Sequence, residues 1–142
     1  MKIYDQYGNL IKEGEYINGE LKKGKEYFMK EIVFDGEYSN GIRWNGKGKE
    51  YNYYIDLIFE GEYLNGERNG EGKEYNDKGK LIFEGEYLNG KRWNGKEKEY
   101  NDDGELIFEG EYLNGKRNEK EYHDDYDDYS WFDDYDDYDD RY

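Results

Sequence analysis

Along much of the chain, apolar and polar side chains alternate with a period of two. In residues 81–88, Leu81, Phe83, Gly85 and Tyr87 alternate with Ile82, Glu84, Glu86 and Leu88. That period places the two sets on opposite faces of a β-strand. Asn89-Gly90 follows, and both residue types tolerate positive φ, so a turn is expected there. A loop through Lys91-Arg92-Trp93-Asn94-Gly95 then leads to a second strand ending at Lys98-Glu99-Tyr100, and Asp102-Asp103-Gly104 marks the next turn. One such unit is a hairpin followed by a linking turn.

The unit recurs. Gly-Glu-Tyr begins at Gly14, Gly36, Gly61, Gly85 and Gly110, with spacings of 22, 25, 24 and 25 residues. Asn-Gly follows each at Asn18, Asn40, Asn65, Asn89 and Asn114, and Lys-Glu-Tyr then ends at Tyr27, Tyr51, Tyr75, Tyr100 and Tyr122. Three ordered markers repeated five times identify a tandem array. The N-terminus enters in mid-repeat: Lys2-Ile3-Tyr4 and the following Gly8-Asn9-Leu10-Ile11 align with Lys98-Glu99-Tyr100 and Gly104-Glu105-Leu106-Ile107. This half-repeat supplies a lone strand to cover the first full hairpin. The array is expected over 1–122, as a half-repeat at 2–13 and repeats starting near 14, 34, 59, 83 and 108. An acidic tail, 123–142, follows.

The glycines and tyrosines of the repeat read as its frame: Gly14 and Tyr16, Gly36 and Tyr38, Gly61 and Tyr63, Gly85 and Tyr87, Gly110 and Tyr112. Phe83, Gly85 and Tyr87 share a face, so the missing side chain at Gly85 is expected to leave a slot for a ring from a neighbouring strand. One hairpin is marginal in water, and stacked hairpins pair their edges and bury successive layers of rings.

Composition sharpens this picture. The chain is 41% charged with a mean hydropathy of −1.46, values that usually accompany disorder. Its 20% aromatic content argues the other way, because 19 tyrosines and three tryptophans can build a core from rings. There is no cysteine, and the single histidine is His123, so disulfides, thiolate metal sites and histidine-pair chemistry are excluded. The start Met1-Lys2-Ile3-Tyr4-Asp5 has no apolar leader core, and no apolar run approaches the ~20 residues of a membrane helix. A cytoplasmic location is therefore expected. The net charge is −16. Ten aspartates and one arginine in 123–142 contribute −9, and 1–122 contribute −7. With no basic patch, binding to nucleic acid or anionic lipid is disfavoured.

The stretch from Phe59 through Gly61, Tyr63, Asn65-Gly66 and Gly70-Glu71-Gly72 resembles a MORN repeat, the membrane occupation and recognition nexus motif. The resemblance covers roughly residues 2–122. The fourth repeat departs from it where Glu97 replaces the second glycine of Gly-x-Gly. The resemblance implies an all-β, elongated single-layer antiparallel sheet or solenoid, here of about eleven short strands. It also implies scaffolding, dimerisation or docking functions.

Candidate chemistry is sparse. The glutamates Glu15, Glu37, Glu62, Glu86 and Glu111 recur uniformly, as do Glu13, Glu60, Glu84 and Glu109. Such a ladder reads as a solvated face with lysine partners and not as an acid–base pair. Gly46-Lys47-Gly48 lacks the Ser or Thr ending of a phosphate loop. No catalytic residue, metal or cofactor is expected. Departures from the repeat are the better binding candidates: Trp44 with Arg43, Trp93 with Arg92, and Trp131 and Phe132 in the tail. The expected function is non-catalytic protein binding or assembly, with self-association through open strand edges or ends. The alternative is an acidic inhibitor or immunity-type protein that neutralises a basic partner. Phospholipid binding ranks below both.

Overall fold

A computed structural model describes residues 1–118. They form eleven strands and no helix, so no helix among them is long and apolar enough to cross a membrane. The strands are β1 (Lys2–Tyr4), β2 (Leu10–Ile17), β3 (Glu20–Phe28), β4 (Glu31–Ser39), β5 (Ile42–Tyr51) and β6 (Leu57–Leu64). β7 (Glu67–Tyr75), β8 (Leu81–Leu88), β9 (Lys91–Tyr100), β10 (Leu106–Leu113) and β11 (Lys116–Asn118) complete them. They make one open antiparallel sheet in sequence order, β1 to β11. The all-β, single-layer hairpin array expected from the sequence is the architecture found.

Local chemistry explains the turns. Asn and Gly both take positive φ at 18–19, 40–41, 65–66, 89–90 and 114–115, the conformation of a tight two-residue hairpin turn. Strand alternation then sorts the side chains. Phe34, Phe59, Phe83 and Phe108 lie on one face, which we call the ring face, with Tyr38, Tyr63, Tyr87 and Tyr112. Phe34, Phe59 and Phe83 are fully buried although no second sheet among the described residues covers them. Tyrosines meet them edge-on: Tyr38 and Tyr63 flank Phe34 at 5.3 and 6.0 Å, and Tyr63 and Tyr87 flank Phe59 at 6.0 and 5.2 Å. Each phenylalanine is thus roofed by rings of two successive hairpins, which couples the repeats.

Two expectations are corrected. The segment around Trp44 and Trp93 is not a loop. Both tryptophans lie within strands, β5 and β9. Here the register shifts between Glu37 and Tyr38 and between Glu86 and Tyr87, so that one extra residue on the long strand makes a bulge. The glycine slot is also different. Gly85 stands opposite Gly95, and a Cβ on Gly85 would lie 2.2 Å from the Asn94 carbonyl oxygen. That glycine admits neighbouring backbone. Glycines whose added Cβ would meet a ring of a neighbouring strand include Gly48, 2.8 Å from Phe34, Gly72, 2.8 Å from both Phe59 and Tyr87, and Gly95, 2.7 Å from Phe83.

Candidate interaction surface

The ring face carries a recurring polar canopy. The glutamate of Lys-Glu-Tyr on one hairpin accepts from a tyrosine and an arginine of the next. Glu26 accepts from the Tyr38 hydroxyl at 2.8 Å and from Arg43 Nη2 at 2.9 Å. Glu50 accepts from Tyr63 at 2.5 Å and from Arg68 Nη2 at 2.7 Å, and Glu74 from Tyr87 and Arg92 Nε, both at 2.7 Å. The same guanidiniums lie over the phenylalanines, at 5.0 Å for Arg43 on Phe34, 4.1 Å for Arg68 on Phe59 and 4.7 Å for Arg92 on Phe83. Arg117 extends the row, pairing with Glu97 and Glu99 and lying 5.1 Å from the Phe108 ring centre.

These contacts set the protonation states. Burial alone would raise the Glu26, Glu50 and Glu74 carboxyls. The arginine and tyrosine hydrogen bonds outweigh it and hold all three below the usual carboxylate range. Burial, then the bond to glutamate, pushes the Tyr38, Tyr63 and Tyr87 hydroxyls well up. Arg43 and Arg92, expected as binding residues, are therefore half-buried members of this canopy. Glu97, in place of a ring-admitting glycine, is buried and paired with Arg92 and Arg117.

Trp44 and Trp93 are half-buried, and each packs against the Asn-Gly turn of the next hairpin. A Cβ on Gly66 would sit 3.1 Å from the Trp44 ring, and one on Gly115 3.0 Å from Trp93. The Gly66 and Gly115 amides donate to the Trp44 and Trp93 carbonyls at 2.9 and 2.8 Å. Trp131 and Phe132 lie outside the described residues.

The opposite face is charged, and its signs alternate across the strands. Lys49, Glu60, Lys73, Glu84, Lys96 and Glu111 stand in one cross-strand row, and Glu13, Lys25, Asp35, Lys47 and Glu62 in another. A shallow trough of about 350 Å³ runs through this face between β4 and β8. Ion pairs here are long, 3.9 Å for Lys73–Glu84 and 4.0 Å for Lys98–Glu109, so they add little stability.

An exposed apolar group occurs at one of the linking turns. Four of these turns share one geometry: a backbone N–H at their first residue bonds four residues on, at Asp5, Asn52, Asn76 and Asn101. Their fourth residues, Gly8, Ile55, Gly79 and Gly104, all have positive φ. Only Ile55 is not glycine, and a β-branched residue at φ 67° is strained. Beside it Tyr53 is 90% exposed and Tyr54 78%. The corresponding Asp77-Lys78-Gly79 and Asp102-Asp103-Gly104 are polar. Phe28, Met29 and Ile32 on the adjacent turn are exposed too, and Phe28 contacts Tyr51 at 5.6 Å. Sequence reading overlooked this tip, although Tyr-Tyr-Ile in place of Asp-x-Gly was its signal. Comparison with known proteins adds no name to this surface: no family model, no curated protein and no solved structure matches the chain.

Proposed function

We propose that the chain is a non-catalytic protein-binding module of a MORN-like kind, and that the apolar tip at 28–32 and 51–56 is its principal contact surface. The observation that carries this reading is Ile55. The repeat offers glycine for this turn, yet here the fold retains a strained isoleucine beside two exposed tyrosines. Strain held in exchange for exposed apolar area points to a partner, because exposed aromatic clusters are the usual anchors of protein interfaces. Self-association belongs to the same reading, with a second copy as one candidate partner.

The experiment replaces the tip with the array's own polar turn: Tyr53→Asp, Tyr54→Lys and Ile55→Gly together. Affinity capture from the native source is compared for this variant and the wild type, with light scattering of each alone. Loss of a specific partner, or of a wild-type oligomer, on replacement supports the reading. Equal capture and equal mass for the two proteins would rule out the tip as the contact surface.

A further inference from the structure

The five hairpin turns are also five Asn-Gly dipeptides, a sequence with chemistry of its own. Glycine has no side chain to hinder its backbone nitrogen, which can therefore approach the side chain of the preceding asparagine closely. That nitrogen attacks the asparagine Cγ, its proton passes to water, and the side-chain nitrogen leaves as ammonia. Water then opens the cyclic imide to aspartate or isoaspartate. The sum is one water consumed and one ammonia released.

The five turns look alike, each exposed and each with positive φ at both residues. They differ in what holds them. The Gly66, Gly90 and Gly115 nitrogens, the would-be nucleophiles, donate to the Trp44, Arg68 and Trp93 carbonyls of the preceding hairpin at 2.9, 2.8 and 2.8 Å. The backbone nitrogens of Asn65, Asn89 and Asn114 donate to Oδ1 of Asn45, Asn69 and Asn94 at 2.9, 3.1 and 2.8 Å. Each of these turns is tied down twice.

The turns at 18–19 and 40–41 make neither bond among the described residues. The cause lies in the sequence. Lys23 stands opposite Glu15, where Asn45 stands opposite Glu37 and Asn94 opposite Glu86. An ammonium has no acceptor to offer the 40–41 turn. Beside the 18–19 hairpin, β1 pairs only with residues 10–13 of β2 and stops short of the turn. A Cβ on Gly19 or Gly41 would meet nothing within 4 Å, whereas Gly66 and Gly115 lie against tryptophan rings. Imide formation requires a turn to open, and a turn tied to its neighbour opens less often.

We infer that Asn18-Gly19 and Asn40-Gly41 are self-modifying sites, converting to aspartate and isoaspartate in the folded protein, while two cross-hairpin bonds protect the same dipeptide in the three later turns. Isoaspartate lengthens the turn backbone by one methylene and adds a negative charge. Each conversion therefore loosens the β2–β3 or the β4–β5 hairpin at its turn. The inference is independent of the protein-binding reading.

The full chain is incubated at mildly alkaline pH and digested, and aspartate and isoaspartate are counted at each turn by mass spectrometry with electron-transfer fragmentation. In the folded protein, Asn18 and Asn40 should convert about tenfold faster than Asn65, Asn89 and Asn114, since two bonds must break first in the latter. In urea the five rates should converge. Asn69→Ala removes the acceptor of the Asn89 nitrogen but keeps the Gly90–Arg68 bond, and should speed Asn89 about threefold with Asn40 unchanged. Lys23→Asn rebuilds an acceptor and should slow Asn40 about threefold, an effect that a destabilised protein cannot mimic. Equal rates at the five turns of the folded protein overturn the inference. So does an order that persists in urea, which would assign it to local sequence. Unchanged rates at Asn89 in the first variant and at Asn40 in the second would remove the hydrogen bonds as its cause.

Discussion

Replacing the Glu50–Arg68 pair tests how a sheet one layer thick keeps its phenylalanines dry. The first unit of the array supplies the replacement. Where later units have glutamate and arginine, it has Ile3 and Leu21, at positions matched by strand register. We therefore consider Glu50→Ile, Arg68→Leu and the double variant. Glu50 accepts from Tyr63 at 2.5 Å and from Arg68 at 2.7 and 3.2 Å. The two side chains are 31% and 24% exposed, so water partly compensates a lost partner. Charge-assisted hydrogen bonds of this kind contribute about 1.5–3 kcal/mol each, and removing one partner also strands the other. Each single variant should lose about 2–3 kcal/mol. The double variant should lose only ~1–2 kcal/mol, because an apolar pair covers Phe59 without leaving an unpaired charge. The coupling is then about 3 kcal/mol, at the upper end for residues in contact. Urea unfolding of the four proteins measures it. Additive losses would refute the canopy as a coupled unit.

Three further outcomes follow from the same contacts. The depressed carboxyls of Glu26, Glu50 and Glu74 give stability that is present above the ordinary value of ~4.3 and is lost as pH falls through their lower folded values. The urea midpoint should hold from pH 7 to about 5.5 and fall below ~4.5, and a midpoint constant down to pH 3.5 would contradict this. The raised hydroxyls of Tyr38, Tyr63 and Tyr87, with Tyr75 pushed up to about 12 by burial and Glu60, give stability that is present below the ordinary tyrosine value and lost above it. Ultraviolet titration should show part of the tyrosine ionisation delayed until the protein unfolds, whereas a single early step would disagree. Gly36→Ala puts a Cβ 2.1 Å from the Asn45 carbonyl oxygen, whereas Gly41→Ala meets nothing within 4 Å and suffers only its positive φ. The first should cost more than about 3 kcal/mol and the second about 1 kcal/mol by thermal or urea unfolding, and equal costs would disprove the close approach of β4 and β5.

Strands and hairpin turns were legible because each rests on local chemistry: period-two alternation and Asn-Gly at positive φ. What depended on register was not. The inserted Trp44 and Trp93 broke the alternation and read as loops, although a bulge absorbs each within a strand. Gly85 read as a slot for a ring because its facing residue, Gly95, is known only once the strands pair. Nothing local in Lys-Glu-Tyr marks Glu26, Glu50 and Glu74 as members of a canopy. Their arginines lie 17 or 18 positions later and on a strand two removed, so only the sheet joins them. Arg43 and Arg92 were noticed for their nearness to tryptophan, but they bind phenylalanine and glutamate. The tip was written in the chain as a broken turn pattern. Its meaning needed the φ of Ile55 and the exposure of Tyr53 and Tyr54.

The strained, exposed tip is what distinguishes a binding module from a bare repeat sheet, and two readouts on one variant test it most directly. With Tyr53→Asp, Tyr54→Lys and Ile55→Gly, relief of the left-handed isoleucine should raise the unfolding free energy by up to ~1 kcal/mol. The same protein should lose its partner. A variant that is less stable would show the tip to be structural, and one that keeps its partner would show it to be dispensable.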